Sequence, residues 1–344
     1  MKPLFICTLY LFAFLVADAQ LEKQLDSLMT SQFTTGEFSG SVLVTKNNKE
    51  IYNKQFGFAD LETKRAISKE TKFSLGSIPK MMTGTIILKL VEENRLKLHE
   101  PISTYLAEWK VPNGDSITIH HLLTHSSGLG DYMSSPEYQK LASGPTSIDD
   151  LMKIIVAQAL SFHKPGSKFR YSNSGFVVMG KIIEKIEGQP YFSVLSKRIL
   201  KPAGMKNTTP VIDLTNKTFA KGYAKKDGEW KPELDIIPPS ADGGLFSTTK
   251  DLFLFDKALS EGKLISKTML ETMRKPQMGP SGYATIITKL DNGVGYGHNG
   301  GIPGYQADYR HYYAGKDEYT AIVFSNRDFK AIPVLAAIQN LISK

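Results

Sequence analysis

The chain carries strand-like sequence at both ends and helix-like sequence between them, and this order restricts the possible folds strongly. Near the start, β-rich runs at 41–45 and 51–57 flank a polar turn, which predicts an antiparallel hairpin. The end of the chain is again rich in aromatic and β-branched residues. Its predicted strands and closing helix lie at 293–297, 305–313, 319–326 and 331–342. One antiparallel sheet assembled from distant segments satisfies this order.

The middle of the chain has apolar residues at helical spacing. Ser247, Thr248 and Thr249 are candidate N-caps for a later helix. Asp251 would lie near the positive, N-terminal end of the dipole of that helix. The other helical segments lie at 81–93, 119–123, 148–159, 175–187 and 192–200. The predicted fold class is therefore α/β (α+β): an antiparallel sheet flanked by helices, with a mainly helical inserted subdomain at about 76–245.

The first 19 residues match a secretory signal peptide. Lys2 precedes an apolar run from Leu4 to Val16, which is too short for a comfortable membrane span, and Ala17-Asp18-Ala19 supplies a small-x-small cleavage site. An uncleaved anchor is the alternative. We expect an exported protein, periplasmic or secreted, with one domain at 20–344. The single cysteine, Cys7, lies inside the signal, so the mature chain would form no disulfide.

Composition describes a globular chain with dispersed charge. Its 344 residues are 41% hydrophobic, the mean hydropathy is -0.20 and the formal net charge is +8. The lysines are scattered, which is typical of a solvated surface. No nucleic-acid motif is visible, so we expect a small-molecule or peptide substrate, such as cell-wall peptide, and no nucleic acid. The oligomeric state stays open.

Ser77 and Lys80 form a Ser-x-x-Lys pattern before an apolar helix. Residues three apart share a helix face, so the lysine amine can reach the serine hydroxyl and take its proton. Pro79 is tolerated in a first helical turn, which predicts that the helix begins near Ser77. A serine cap beside a surface lysine would give the same pattern, so the pair alone does not establish catalysis.

Two further segments strengthen the catalytic interpretation: Tyr171-Ser172-Asn173 on a predicted turn, and a Gly-rich passage from Gly297 to Tyr305. The order Ser-x-x-Lys, Tyr-x-Asn, His-x-Gly resembles the serine hydrolase family of class C β-lactamases, penicillin-binding D-Ala-D-Ala carboxypeptidases, D-aminopeptidases and related esterases. Other segments with this resemblance are 119–129, 165–166 and 243–248. The likeness covers about 39–326 and implies the β-lactamase/transpeptidase fold.

The resemblance implies roles for individual residues. Ser77 would be the acylated nucleophile, Lys80 its proton partner, and Tyr171 a proton shuttle beside them. Which of Lys80 and Tyr171 takes the first proton stays open. Asn173 would position Lys80 or a substrate amide, unless it only satisfies a turn. The oxyanion donors would be the amides of Ser77 and Gly301.

The third motif departs from the Lys-Thr-Gly variant of the family. His298 replaces a permanent cation, which puts recognition of a substrate carboxylate in doubt, and Asn299 replaces a hydroxyl with a larger amide. Gly300, like Gly301, would let the strand approach the substrate closely. These departures argue against a highly efficient β-lactamase.

His121 and His125 are four residues apart, as zinc ligands on one helix face would be. A zinc site is the less favoured interpretation, because Leu122 stands where a zincin has glutamate. Those histidines are expected to anchor a loop. The sequence thus predicts an exported serine hydrolase acting on an amide or ester (a β-lactam, a D-Ala-type peptide, a D-amino-acid amide or a small ester), without metal or organic cofactor. The alternative is a non-catalytic or slowly deacylating penicillin-binding or sensor domain.

Overall fold

Both ends of the chain contribute strands to one antiparallel sheet. The computed structural model describes residues 3–141, 146–233 and 237–343, with side chains from residue 18 onward. In chain order the strands are β1 (Gly40–Lys46), β2 (Lys49–Phe56), β3 (Phe58–Asp60), β4 (Arg65–Ala66), β5 (Phe73–Ser74), β6 (Gly222–Lys226), β7 (Glu229–Glu233), β8 (Phe246–Ser247), β9 (Ile286–Leu290), β10 (Gly293–Ile302), β11 (Tyr305–Ala314) and β12 (Asp317–Ser325).

Among the described residues, six strands form the main sheet in the order β2-β1-β12-β11-β10-β9. The predicted first hairpin is confirmed, and Asn47 and Asn48 at its turn both have positive φ, a conformation that asparagine tolerates. β1 pairs with β12 from Gly40 opposite Ser325 to Lys46 opposite Tyr319. This pairing joins the two ends of the chain, as the sequence predicts.

The helices fill the middle of the chain and cover both ends. They are α1 (Pro3–Thr34), α2 (Lys80–Glu92), α3 (Ser103–Leu106), α4 (Ile119–Leu123), α5 (Pro136–Leu141), α6 (Ile148–Ala157), α7 (Ser174–Glu187), α8 (Tyr191–Leu195), α9 (Lys201–Ala203), α10 (Thr249–Ser260), α11 (Lys267–Met273) and α12 (Ala331–Ile342), with 3-10 turns at Ala107–Trp109 and Tyr132–Ser134 and a π-helical turn at Ser196–Leu200.

The predicted helix starts are mostly confirmed. The Thr248 hydroxyl accepts a hydrogen bond from Asp251 N and caps α10, and α12 has the predicted bounds. The prediction that a helix begins near Ser77 is wrong, because α2 begins at Lys80 and Ser77 lies in the turn before it. The inserted part at about 76–245 is mainly helical, as predicted, and it also contains the hairpin formed by β6 and β7.

The sheet separates two hydrophobic layers. Along β12, Ala321 and Val323 face α1 and α12, whereas Ile322 and Phe324 face the helical middle of the chain, which is the alternation expected of a buried strand. This three-layer arrangement confirms the predicted fold class and lets one face of the sheet support the helical segments that carry Ser77 and Tyr171.

Helix α1 covers the outer face of the sheet. Leu25 and Met29 are fully buried there, and Asp18 forms an ion pair with Lys46 at 2.8 Å. The helix passes through the predicted cleavage point after Ala19, so removal of a signal peptide stays a prediction, and Met1 and Lys2 lie outside the described residues. Among the helices described, none is long and apolar enough to cross a membrane.

Candidate active site

Ser77 projects from a turn that is fixed between two segments of the chain. On one side, β5 pairs with β8, Leu75 N donates to Leu245 O at 2.8 Å, and Gly244 N donates to Gly76 O at 2.9 Å. The turn then continues into α2, with Lys80 N donating to Ser77 O at 3.0 Å. Ser77 is only partly buried, so its hydroxyl is reachable from solvent.

On the other side, the turn contacts the open edge of β10. Among the described strands, β9 pairs with β10 only from Gly293 to Gly297, which leaves the rest of that edge unpaired. A Cβ on Gly300 would lie 2.5 Å from Ser77 N, and a Cβ on Gly76 would collide with Gly301 N. Glycine at 300 is therefore required by the protein's own backbone, whereas the sequence analysis attributed it to substrate approach.

Lys80 lies beneath Ser77 and is fully buried. Its Nζ donates to Ser77 Oγ at 3.1 Å and to the backbone oxygen of Asp242 at 2.6 Å. The ammonium also lies 5.1 Å from the ring centroid of Tyr171 and 5.6 Å from that of Phe176. The predicted contact between the serine and the lysine is thus present in the structure.

Tyr171 stands at the surface of the site and is 36% exposed. Its ring stacks on His125, with the centroids 4.4 Å apart. His125 also accepts a hydrogen bond at Nδ1 from Ser172 N at 3.1 Å, and its carbonyl accepts one from Arg170 N at 2.8 Å. His125 therefore holds the loop that presents Tyr171, in agreement with the loop-anchoring interpretation.

His121 has a local role of the same kind. Its Nδ1 accepts a hydrogen bond from Thr118 N at 3.1 Å, which closes a capping box at the start of α4. Within the described residues, no group of three or more His, Cys, Asp or Glu side chains is arranged to hold a metal ion.

Asn173 immediately precedes α7 and does not cap it. Its Nδ2 donates to Asp131 Oδ2 at 3.0 Å and contacts Met133 Sδ at 3.2 Å. The hydrogen bonds described for Asn173 do not include one to Lys80. The structure instead places its amide on the wall of the cavity beside Ser77.

His298 lies on β10 and is 2% exposed. Burial, together with the positive charge of Lys80, lowers the pKa of His298 to about 3, so the ring is neutral near pH 7. Its Nδ1 donates to the carbonyl of Asn299 at 2.5 Å. Because side chains alternate along a strand, Asn299 projects to the opposite face, opposite Asp308 of β11. The structure therefore does not bring Asn299 together with Ser77.

A cavity of about 250 Å³ opens in front of Ser77. The predicted residues Ser77, Tyr171, Asn173 and Gly301 line it, whereas His298, Asn299 and Gly300 are not part of its described lining. The full lining consists of Gly76, Ser77, Tyr132, Met133, Tyr171, Asn173, Ile237, Pro238, Asp242, Gly243, Gly244, Gly301 and Ile302.

The acidic wall of this cavity has no motif in the sequence. Asp242 is 6% exposed, and Tyr132 Oη donates to its Oδ2 at 2.9 Å. Burial raises the pKa of this carboxyl, as does the charge of Asp131. Asp242 directly precedes Gly243-Gly244, a segment already noted for its resemblance to the family, and that position was the available signal.

Comparisons with known proteins agree with this fold. Penicillin-binding protein 4* of Bacillus subtilis is 29% identical over 317 residues, covering 82% of this chain and 67% of that protein. The octameric penicillin-binding protein homologue of Pyrococcus abyssi has a TM-score of 0.80 at 28% identity, covering 92% of this chain and 77% of that one. D-amino acid amidase of Ochrobactrum anthropi, solved with D-phenylalanine, has the same fold, with a TM-score of 0.81 at 23% identity and coverage of 93% and 98%.

The chain spans between about half and two thirds of the length of the curated relatives it matches, from 47% to 67%. The beta-lactamase family model matches residues 21–340, nearly the whole chain. With the Ser77–Lys80 contact and the fold in agreement, this chain belongs to the beta-lactamase family of serine hydrolases.

Proposed function

We propose that this protein hydrolyses amides or esters through an acyl-enzyme formed on Ser77. The observation that carries the proposal is the 3.1 Å hydrogen bond from Lys80 Nζ to Ser77 Oγ at the floor of an open cavity. A serine hydroxyl is a weak nucleophile until a neighbouring base takes its proton, and Lys80, in its neutral amine form, is within reach of that proton. Tyr171, whose ring lies beside the same amine, is the second candidate for this transfer.

In the proposed reaction, Ser77 Oγ forms a bond to the substrate carbonyl carbon and passes its proton to Lys80 or Tyr171. The bond from that carbon to the leaving amine or alcohol then breaks, and the leaving group takes up the proton. Water attacks the acyl-serine ester in the second half, which restores the Ser77 hydroxyl and releases a carboxylic acid.

Two backbone amides are proposed to stabilise the oxyanion formed at each attack. The amides of Ser77 and Gly301 belong to backbones in direct contact, since a Cβ on Gly300 would lie 2.5 Å from Ser77 N. Donors fixed in this way need no rearrangement as charge develops, and losing one such donor commonly costs about 10²- to 10³-fold in kcat.

The proposed substrate class rests on the charge of the residues around Ser77 as well as on the family to which the chain belongs. β-Lactams, D-Ala-type peptides and small esters are the candidate substrates, but neutral His298 supplies no cation for a carboxylate. We therefore propose that amides and esters without a free carboxylate are turned over more efficiently than β-lactams. Export to the periplasm or beyond is part of the same proposal and rests on the apolar run before Ala19.

The test is a substrate panel of p-nitrophenyl butyrate, a D-amino-acid amide, a D-Ala-D-Ala peptide and nitrocefin. Wild-type protein is expected to turn over at least one of them, and Ser77→Ala is expected to lose several powers of ten in kcat. Ser31→Ala, at an exposed position of α1, is the matched control and should retain activity. Equal residual activity in Ser77→Ala and wild type would overturn the proposal, and acylation without turnover would favour a sensor.

A further inference from the structure

Asp242 is the one charged side chain among the residues described as lining the catalytic cavity. It is almost completely buried, and a buried carboxylate is costly unless it is hydrogen-bonded or paired with a cation. Tyr132 Oη donates to Oδ2 of Asp242 at 2.9 Å, and the backbone amide of Asp242 also donates to the carboxylate. Neither donor carries a positive charge.

Lys80 does not act as the contact partner of this carboxylate. Its Nζ donates to Ser77 Oγ and to the backbone oxygen of Asp242, and the ion pairs found within 4.0 Å among described residues do not join Lys80 to the Asp242 side chain. The charge of Lys80 lowers the pKa of Asp242 from a longer distance, while burial raises it more strongly. The cavity wall therefore carries a carboxylate without a contacting cation.

The neighbouring groups make this wall more negative. Asp131 binds Asn173, a lining residue, and its charge raises the pKa of Asp242 by repulsion. His298, on the other side of Tyr171, is neutral near pH 7. The electrostatic potential is therefore positive beneath Ser77, where an oxyanion would form, and negative at Asp242.

Lys80 Nζ donates both to Ser77 Oγ and to the backbone oxygen of Asp242, so the backbone at Asp242 is held beside the nucleophile. Asp242 and Ser77 also line the same cavity of about 250 Å³. A group bound at Asp242 would consequently lie in the same cavity as a carbonyl held at Ser77. An α-amino acyl group has this arrangement of charge, with an ammonium one carbon away from its carbonyl.

We propose that Asp242 is a specificity-determining residue that binds a substrate ammonium group, so that the preferred substrates are amides or esters of amino acids with a free amino group. This inference rests on the acyl-serine function proposed above. It predicts that substrates with a free carboxylate in place of the amine are disfavoured, because the cavity lining would repel them.

The experiment compares alanine p-nitroanilide, as both enantiomers, with the N-acetyl derivative of each at pH 6.5, where the free amine is largely protonated. The measured quantity is the ratio of kcat/KM for the free amine to that for the N-acetyl compound. Wild-type protein is expected to give a ratio of at least 10 for the better enantiomer. Asp242→Asn keeps the size of the side chain and should lower the ratio roughly 10- to 100-fold, mainly through KM.

Asp291→Asn is the matched control, because it removes one negative charge from an exposed turn at the far end of β10. It should leave the ratio at the wild-type value. A wild-type ratio of 1 or less, or an Asp242→Asn variant that loses both activities by the same factor, would overturn the inference while the acyl-serine function stands. If wild-type protein neither turns over nor becomes acylated by any probe, the proposed function fails, and the inference fails with it.

Discussion

Gly76 lies where the backbone of the Ser77 turn meets the backbone of β10. Its φ is +51°, and a Cβ at this position would collide with Gly301 N. Gly76→Ala is therefore expected to separate the two backbones that carry the proposed oxyanion donors. We predict a loss of at least 100-fold in kcat, measured on p-nitrophenyl butyrate, together with a lower Tm.

Gly188→Ala separates this effect from the cost of a positive φ. Gly188 ends α7 with φ at +64°, and a Cβ there would meet nothing within 4 Å. Its replacement should cost about 1 kcal/mol of stability and leave kcat unchanged. If Gly76→Ala matched Gly188→Ala in both measurements, the backbone contact would have no importance for catalysis.

The lowered pKa of His298 leads to a second prediction at the scale of one residue, which concerns stability at low pH. Its pKa is about 3 in the folded protein and about 6.5 when unfolded. As pH falls below 6.5, the unfolded chain binds a proton that the folded chain does not, so this residue makes the protein less stable toward acid. The expected loss from this group is about 2 kcal/mol between pH 6.5 and pH 5.

Urea unfolding of His298→Gln at several pH values checks the prediction, because glutamine removes the titration. The variant should lose less stability than wild type between pH 6.5 and pH 5. His163→Gln removes an exposed imidazole and is the control, which should follow wild type. Identical pH dependence in wild type and His298→Gln would contradict the prediction, because it would show that His298 titrates in the folded protein as it does in the unfolded chain.

At the scale of elements, the loop before α7 depends on His125. This residue has φ of +55°, a conformation that histidine and asparagine tolerate better than most residues. His125→Asn should keep that backbone while removing the ring that stacks on Tyr171 and the acceptor for Ser172 N. We predict at least a tenfold loss in kcat/KM and a lower Tm. Lys110→Asn, at an exposed position with φ of +47°, is the control.

The strands and long helices could be predicted because their signals are local. Thr248 before α10 and the period-2 pattern around Val323 each specify an element within a few residues. The turn at Ser77 could not be predicted, because it is fixed by a backbone hydrogen bond from Gly244, which lies more than 160 residues away. The β6–β7 hairpin was missed because half of its residues, from Gly222 to Glu233, are charged.

Some residues of the candidate site could likewise be predicted from the sequence, and others could not. Ser77, Lys80 and Tyr171 belong to motifs that can be recognised in the sequence by their spacing. The structure brings these three residues together. Asn299 was predicted to lie in the site because it occupies the hydroxyl position of the third motif, but strand alternation turns it to the opposite face from His298. Asp242 had no motif of its own, since its position depends on tertiary contacts with Lys80 and Tyr132.

At the scale of the whole molecule, the sheet and the helical middle share one core. The same cluster contains Leu43 and Phe324 from the sheet and Ile87 and Phe176 from the helices. We therefore predict that the two parts unfold together. In Trp230→Phe, the remaining Trp109 reports on the helical part, and its fluorescence transition in urea should coincide with the far-UV circular dichroism transition. Two separated midpoints would show that the helical part unfolds independently.

Net charge and site charge differ in this protein. The chain carries a formal charge of +8, yet the described lining of its cavity contains a single charged side chain, the carboxylate of Asp242. The overall charge acts on solubility and on association with anionic surfaces, whereas the cavity selects substrates over a few ångströms. Substrate class therefore has to be argued from the site.

The central claim is that Ser77 becomes covalently acylated. Intact-mass spectrometry after incubation with an activated ester or penicillin, followed by peptide mapping, measures this directly. The account predicts one added acyl mass on the peptide that contains Ser77, and no such mass in Ser77→Ala. An unmodified wild-type protein that still turns over the ester, or an adduct on another residue that persists in Ser77→Ala, would contradict it.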